Sequence, residues 1–214
     1  VPMPYDFKKE QKELYQPKTA PALVHVPKMN YLAVRGKGDP NDPDGEYARS
    51  IPLLYGVTYT LKMSPRAGHV IDGFFDYTVP PLEGFWWQPG LAGVDYANKA
   101  GFHFLSLLRL PDFVTRADFD WAVESATAKK KMDLSPVEFF PYDEGLCVQC
   151  LHLGPYDAEP QTAAKMHDFM RRQGYALDIT DTRYHHEIYL SEPRKCDPAR
   201  LKTVLRHPVR PADG

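Results

Sequence analysis

One carboxylate, Glu187, stands in a segment that is typical of a β-strand, because apolar and polar residues alternate along it. Alternation places His185, Glu187 and Tyr189 on one face, and His186, Ile188 and Leu190 on the other. If the apolar face packs on helices, the Glu187 side chain points to the opposite side of the sheet. Burial raises the pKa of a carboxyl group towards neutrality, which suits a general base. The alternative is a solvent-exposed carboxylate, the usual situation of glutamate.

Aromatic residues make up 13% of the chain, with 13 tyrosines and 3 tryptophans, which is more than a core of this size usually requires. The doublet Trp86-Trp87 follows Gly84 on a second predicted strand, and neighbouring strand residues face opposite sides. One indole can therefore enter the core while the other lines a cavity or stays exposed. Other aromatic residues that can join such a pocket are Tyr47, Tyr55, Tyr59, Trp121 and Tyr142. A carboxylate between aromatic walls favours a flat, apolar and often cationic ligand.

Cys147 and Cys150 have the spacing of a redox or zinc motif. They fall inside a predicted strand, however, where an offset of three residues points the two sulfur atoms to opposite faces. A redox pair needs its first cysteine at a helix N-terminus, and a zinc site needs a second cysteine pair that the chain lacks. We interpret both cysteines as small core residues.

The neighbouring residues His185 and His186 suggest a metal site, but alternation points their rings to opposite faces of the strand. His152 and His167 stand at no helical or loop spacing that would supply the missing ligands, so a structural role is the simpler interpretation. The stretch 36–38 lacks the third glycine of a dinucleotide-binding loop. We therefore predict neither a metal nor a cofactor.

The elements that must position these residues recur in the same order in both halves of the chain. The first half predicts a strand at 22–35, a helix at 47–61 and strands at 72–79 and 82–88; the second predicts a strand at 146–153, a helix at 158–173 and strands at 183–190 and 202–209. This order predicts an α+β fold with two strand-helix-strand-strand modules, related by a pseudo-twofold axis around a central cleft. Pairing of their open sheet edges would join the modules.

We expect a single domain over residues 1–214. It comprises a first module at 20–110, a connecting helical segment at 111–140 and a second module at 141–214. The connecting segment contains a helix predicted at 116–132, whose three lysines at 129–131 suit the negative end of the helix dipole.

The charge balance limits the classes of partner. The chain has 26 Lys and Arg against 28 Asp and Glu, a net charge of −2, which argues against a nucleic-acid groove or an anionic membrane surface as the main partner. No apolar run approaches the roughly 18 residues of a membrane span. Three cysteines fit a reducing compartment better than a disulfide scaffold. We expect a soluble, cytoplasmic protein, and nothing in the charge pattern indicates a protein partner.

Several stretches resemble stand-alone GyrI-like small-molecule-binding proteins. The longest runs from residue 185 to 194 (HHEIYLSEPR) and continues at 201–209 (LKTVLRHPV). Shorter ones are VPKMN at 26–30, GKGDPN at 36–41, LPDFV at 110–114, GLCVQ at 145–149 and HLGPYD at 152–157. The resemblance covers nearly the whole chain, and the C-terminal stretch is long enough to be specific.

The resemblance implies two modules of the kind described above, which meet around a central cleft. Members of the family bind lipophilic aromatic and cationic compounds there, with a buried glutamate as the key acidic group, and Glu187 matches that position. Some stand-alone members are implied to be hydrolases that open the strained cyclopropane ring of DNA-alkylating antibiotics. No DNA-binding segment is expected in this chain.

Two functions remain open from the sequence. The first is binding of flat xenobiotics for sequestration or detoxification, with ligand contacts from Glu187, Tyr189, Trp86, Trp87 and the other aromatic residues named above. The second is a cyclopropanoid hydrolase, in which Glu187 activates water and Tyr55 or Tyr142 stabilises the leaving phenolate. A glutamate in an aromatic cleft serves both. A third function, action on a protein partner such as topoisomerase, has no support in the charge pattern.

Overall fold

Nine antiparallel strands form the main sheet of the computed structural model, which describes residues 2–213. The strands are β1 (Tyr5–Asp6), β2 (Ala22–Val26), β3 (Met29–Lys37), β4 (Tyr77–Thr78), β5 (Glu83–Trp87), β6 (His103–Leu110), β7 (Val137–Tyr142), β8 (Gly145–Leu153), β9 (Tyr175–Leu177), β10 (His185–Tyr189) and β11 (Lys202–Pro211). The helices are α1 (Phe7–Glu10), α2 (Lys12–Tyr15), α3 (Glu46–Lys62), α4 (Arg116–Lys130) and α5 (Glu159–Arg172). The fold is α+β, as predicted.

The strand order places the two halves of the chain side by side. It reads β2-β8-β11-β10-β5-β6-β3-β7, with β9 paired to the end of β11. The strands β8, β11 and β10 of the second half therefore lie on one side of the β10–β5 junction, and β5, β6 and β3 of the first half lie on the other. At this junction Glu187 is opposite Gly84, and His185 is opposite Trp86. The pseudo-twofold relation of the modules stays a prediction.

The three long helices cover one face of the sheet. Helix α3 packs on β3 and β6, where Leu54 contacts the cluster around Leu32 and Leu108, and α4 packs against α3. Helix α5 packs on β8, where Met166 joins the cluster around Val148. Between α3 and α5 the central strands β5 and β10 lack a covering helix, and this gap is the cleft.

The opposite face is buried against the N-terminal segment. Phe7, Leu14 and Tyr15 from α1 and α2 share one hydrophobic cluster with Phe85 and Ile188. The apolar side of β10 therefore packs on these short helices, while the long helices flank the Glu187 side. The central strands are thus covered on one face by the N-terminal segment and flanked on the other by α3 and α5, so a polar side chain between these two helices becomes buried.

The predicted strand at 22–35 divides at Pro27. Its first part, β2, pairs with β8 at one end of the sheet, and its second part, β3, pairs with β7 at the other end. Only two residues separate Val26 from Met29, so the two sheet ends lie within about 11 Å of each other at this point. The sheet is therefore strongly curled around the cluster that contains the N-terminal segment.

Other differences from the predicted elements concern short or edge strands. Of the strand predicted at 72–79 only Tyr77–Thr78 forms, and it pairs in parallel with β1 in a separate two-stranded sheet. Strand β7 was not predicted; it crosses the boundary placed at residue 140 and pairs with β3. Its edge position tolerates Pro141, which weakened the strand pattern in the sequence. Within residues 2–213, none of the helices combines the length and apolar character that a bilayer crossing requires.

Candidate functional site

Glu187 projects from β10 into the cleft between α3 and α5 and is 7% exposed. His185 and Tyr189 lie on the same face, because the Nε2 atom of His185 is 2.7 Å from Oε2 of Glu187 and the Tyr189 hydroxyl donates to Oε1 at 3.3 Å. The indole of Trp86 donates to the Tyr189 hydroxyl at 2.9 Å. The alternation predicted along β10 is therefore confirmed, and Trp86 is the indole on the Glu187 side.

Gly84 makes this crowding possible. It lies opposite Glu187 on β5, and a Cβ atom at this position would be 2.6 Å from Nε1 of Trp86 and 3.1 Å from the Tyr189 hydroxyl. The first distance is closer than non-bonded atoms approach each other, so a larger residue would displace the indole. The glycine therefore keeps Trp86 and Tyr189 next to Glu187.

A second carboxyl group, Glu159, enters the cleft from the first turn of α5 and is fully buried. The Tyr96 hydroxyl donates to Oε2 at 2.6 Å, while Oε1 finds no donor among the described residues. Burial and the neighbouring Glu187 carboxylate raise the pKa of Glu159 well above its usual value. This shift favours the protonated form of Glu159, and burial likewise raises the pKa of Tyr96, which stays a hydrogen-bond donor.

Three histidine rings extend from Glu187 in single file. His185 Nδ1 is 2.6 Å from Nε2 of His207, and His207 Nδ1 is 2.8 Å from Nε2 of His167. Burial and the two flanking imidazoles lower the pKa of His207 well below its usual value, and burial with Arg171 lowers that of His167. These two histidines are therefore neutral at neutral pH.

A cavity of about 250 Å³ lies beside these groups, between α5 and the segment 89–98. Its walls include Tyr96, His167, His185 and His207, and the remainder is small or apolar: Ala92, Gly93, Val94, Pro160, Ala163, Ala164, Leu177 and Ile179. Drug-sized ligands occupy roughly 300–1,000 Å³. The cavity is therefore smaller than the sites that drug-sized ligands usually occupy.

Aromatic rings from α3, from β5 and β10 and from the turn before α5 surround Glu187. The centroids of Tyr47 and Trp86 are 5.1 Å apart, and those of Tyr156 and Tyr189 are 5.8 Å apart. Burial and the Glu187 carboxylate raise the pKa of Tyr156 to about 12, so its hydroxyl remains protonated. Trp86, Tyr47 and Tyr189 are thus the sequence-predicted aromatic residues that the structure gathers at Glu187.

The structure places other predicted residues elsewhere. Trp87 and Tyr142 lie on the opposite face of the sheet, where both contact the ring of Tyr184. Adjacent strand residues must diverge, so Trp87 cannot share the cleft with Trp86. Trp121 on α4 stacks on His69 at 3.9 Å.

Tyr55 and Tyr59 lie further along α3. Their rings stack on each other with centroids 6.1 Å apart, and Tyr59 is 46% exposed. Burial, Tyr59 and Glu192 raise the pKa of Tyr55. Neither tyrosine contacts Glu187, so a role for Tyr55 in stabilising a phenolate stays a prediction without a supporting contact.

Glu159, Tyr96, Tyr156 and His207 are the site residues that the sequence analysis missed. Glu159 is a charged residue in a first helical turn, where an acidic side chain ordinarily interacts with the helix dipole at the surface. His207 stands on the last strand, and its alternation could have placed it beside His185 only if the pairing of β10 with β11 had been known. Local sequence patterns contain no signal for these contacts.

The side chains of Glu159, His185 and Glu187 offer three potential ligand atoms within 4.8 Å of one another. His185 and Glu187 already bond each other at 2.7 Å, and the raised pKa of Glu159 favours its uncharged form. We therefore assign this set to proton sharing. The absence of a metal stays a prediction, which metal analysis of the purified protein tests.

His186 belongs to a separate buried network on the other face. Its ring contacts Glu83 at 2.7 Å and Glu144 at 2.6 Å, and Arg206 contacts Glu144 at 3.1 Å. The imidazole and the guanidinium lower the pKa of Glu144 to about 2, against a desolvation effect in the opposite direction. This network holds the sheet to the N-terminal segment, because Arg206 also donates to the carbonyl oxygen of Leu14.

The fold and this site define an α+β protein with an acidic, aromatic cleft over the centre of an antiparallel sheet. The model of the GyrI-like small molecule binding domain matches residues 109–210. A hydrolase from Listeria innocua is 45% identical over 96% of this chain and 100% of that chain, with a TM-score of 0.87. A hydrolase encoded by lin2189 of the same organism is 46% identical over 97% of this chain and 100% of that chain, with a TM-score of 0.88.

The EcmrR C-terminal domain is similar in fold alone, with 15% identity over 90% of this chain and 98% of that chain and a TM-score of 0.53. Among curated proteins, none matches the chain. The chain belongs to the GyrI-like family of small-molecule-binding proteins, as the motifs around Glu187 predicted.

Proposed function

We propose that this protein binds flat, lipophilic aromatic compounds in the cleft and hydrolyses a strained cyclopropane ring on them. One observation carries the proposal: the carboxyl groups of Glu159 and Glu187 lie together in the buried cleft, where burial and the neighbouring Glu187 raise the pKa of Glu159. An acid and a base side by side are the groups that the addition of water requires. The hydrolases from Listeria innocua support the same class of reaction.

The proposed reaction begins at a cyclopropane that is conjugated to a carbonyl group. Glu187 accepts a proton from water as the water oxygen bonds to a ring carbon. The strained carbon–carbon bond breaks, and its electron pair moves through the conjugated system onto the carbonyl oxygen to form a phenolate. Glu159 gives its proton to this oxygen, and the proton on Glu187 then passes to Glu159. The net change is addition of one water, and both carboxyl groups regain their initial states.

Tyrosine hydroxyls next to the carboxyl pair can stabilise the phenolate by hydrogen bonds. Tyr96 contacts Glu159, and Tyr189 contacts Glu187, so these two are better placed for this role than Tyr55 or Tyr142. The rings of Trp86 and Tyr47 offer a surface for stacking with a flat substrate. Ring opening destroys the alkylating electrophile, so we infer a role in detoxification.

The test is incubation of the purified protein with a cyclopropane-bearing alkylator, followed by mass spectrometry. We expect a product that has gained one water. Glu187→Gln and Glu159→Gln should each lose turnover, because an amide neither accepts the proton from water nor donates an acidic one. Glu124→Gln, on the exposed side of α4, is the matched control and should keep the full rate.

Binding without turnover is the second candidate function, and the aromatic surroundings of Glu187 favour it equally. The wild-type protein would then bind the alkylator tightly, by quenching of tryptophan fluorescence, and release it unchanged. That outcome overturns the hydrolase proposal and leaves sequestration.

Glu187→Gln also separates the ligand classes. The ionised carboxylate in a desolvated cleft attracts a cation more strongly than a surface pair does. We expect the variant to weaken a cationic dye more than a neutral aromatic compound of the same size, as measured by fluorescence titration. Equal weakening of both, with turnover intact, would assign a structural role to Glu187.

A further inference from the structure

His185, His207 and His167 form a chain of hydrogen bonds that starts at Glu187. The number of available protons determines the direction of each bond. This histidine chain has three contacts: Glu187 to His185 at 2.7 Å, His185 to His207 at 2.6 Å and His207 to His167 at 2.8 Å. Each contact needs one hydrogen, and each neutral imidazole supplies one. When Glu187 is a carboxylate it can only accept, so every ring must direct its Nε2–H towards Glu187.

This arrangement protects the Nδ1 atom of His185. In the inward-directed chain Nδ1 accepts the hydrogen from Nε2 of His207, so it has no free lone pair for a proton from solvent. His207 is 3% exposed and His185 is 4% exposed, so water does not compete for these atoms. His167 is half-buried at the cavity. When all three rings are neutral, the histidine chain presents Glu187 with a neutral donor.

A neutral donor and a cationic one have different effects on a catalytic base. An imidazolium next to a carboxylate stabilises its ionised form and thereby makes it a weaker base. A neutral imidazole N–H orients the carboxylate without adding a positive charge. Keeping His185 neutral thus keeps Glu187 able to take a proton from water.

We propose that His207, supported by His167, is a positioning residue that holds His185 as a neutral Nε2–H donor to Glu187. This inference rests on the proposed hydrolysis, for which Glu187 is the base. The other titratable groups around His185 are Glu159 and His167 from α5, Tyr96 from the segment 89–98 and Tyr189 on β10; Arg171 and Asp168 lie near His167. The Glu187 carboxylate would attract a positive charge on His185, and the hydrogen bond from His207 occupies the nitrogen that would take the second proton.

Two replacements of His207 separate the effect of the hydrogen bond that it donates from the effect of losing the imidazole ring. His207→Leu removes the donor and frees Nδ1 of His185, so His185 can take a second proton and pair with Glu187 as a cation. The acidic limb of the pH–rate profile should then move to higher pH by at least one unit, with a tenfold or larger loss of kcat at pH 6 and little change in KM. His207→Gln retains an N–H donor near the same position and should restore the wild-type profile.

The control is His25→Leu, which removes an exposed imidazole from β2 and should leave the profile unchanged. An unshifted acidic limb in His207→Leu, or the same shift in His207→Gln, would overturn the proposal. Circular dichroism of each variant shows whether it is folded.

A measurement on the wild-type protein keeps the inference testable without activity. Long-range ¹H–¹⁵N spectra of ¹⁵N-histidine-labelled protein at pH 7 should show His185 and His207 as neutral rings with the proton on Nε2. A doubly protonated His185, or a proton on Nδ1 of either ring, would contradict the chain. If the wild-type protein forms no product but shows these tautomers, the hydrolase proposal fails while the hydrogen-bond chain stands.

Discussion

At Trp86 and Trp87, two identical side chains meet different surroundings because they are neighbours on a strand. Trp86 lies beside Tyr47 and donates to Tyr189 in the cleft, whereas Trp87 contacts His103 and Tyr184 on the other face. A shift of one residue along the strand therefore decides whether an indole can contact a ligand in the cleft. Trp87 is therefore the matched control for a replacement of Trp86.

Trp86→Ala should weaken binding of a flat aromatic ligand by roughly 1–3 kcal/mol, because the ligand loses a stacking partner. Trp87→Ala removes the same ring from the opposite face and should change the affinity by less than about 0.5 kcal/mol. Fluorescence titration or calorimetry measures both. Similar losses for the two variants would show that the ligand site is not where Glu187 lies.

At the scale of elements, the segment between β5 and β6 forms one wall of the cavity beside the cleft. Residues 92–94 and Tyr96 line the cavity, and Tyr96 contacts Glu159. The buried amide of Gln88 holds this segment by donating to the carbonyl oxygens of Asp95 and Asn98 and accepting from the amide of Asp95. One side chain therefore supports three backbone contacts of the cavity wall.

Gln88→Ala should weaken ligand binding by roughly 1–2 kcal/mol. Without the hydrogen bonds of Gln88 the cavity wall is less ordered, and binding must then supply the free energy that orders it. The dissociation rate, followed by stopped-flow fluorescence, should rise. Gln173→Ala, an exposed glutamine at the end of α5, is the control and should behave like the wild-type protein. An unchanged dissociation rate in Gln88→Ala would mean that the segment does not limit ligand exchange.

At the scale of the whole molecule, stability at low pH depends on the buried network around Glu144. The pKa of Glu144 is about 2 in the folded protein and 4.5 without perturbation. A lowered folded-state pKa stabilises the protein above pH 4.5, and this contribution is lost as the pH falls from 4.5 towards 2. This difference in pKa corresponds to a stabilisation on the order of 3 kcal/mol, because one pKa unit is worth about 1.4 kcal/mol.

Glu144→Gln should therefore be less stable than the wild-type protein at pH 7, and the difference should shrink between pH 4.5 and 2. Because Arg206 and His186 then lose their buried partner, part of the loss at pH 7 comes from unpaired charge. Denaturant unfolding at a series of pH values measures the free energies, with exposed Glu124→Gln as the control. A difference that stays constant down to pH 2 would contradict the assignment.

The sequence by itself determined which side chains share a face and which family the chain belongs to. The two-residue period of a strand is a local property, so His185, Glu187 and Tyr189 could be grouped without knowledge of the fold. The α+β class and the three long helices followed from local periodicity in the same way. The motifs around Glu187 indicated the family, which the comparisons confirm.

Only the tertiary structure decided what those faces meet. Glu159 reaches Glu187 because α5 packs beside β10, His207 reaches His185 because β10 pairs with β11, and Trp86 rather than Trp87 faces the cleft because of the β5–β10 register. The division of 22–35 into strands at opposite ends of the sheet is equally non-local. Such contacts depend on pairing between segments that are distant in the chain, and local periodicity contains no information about which segments pair.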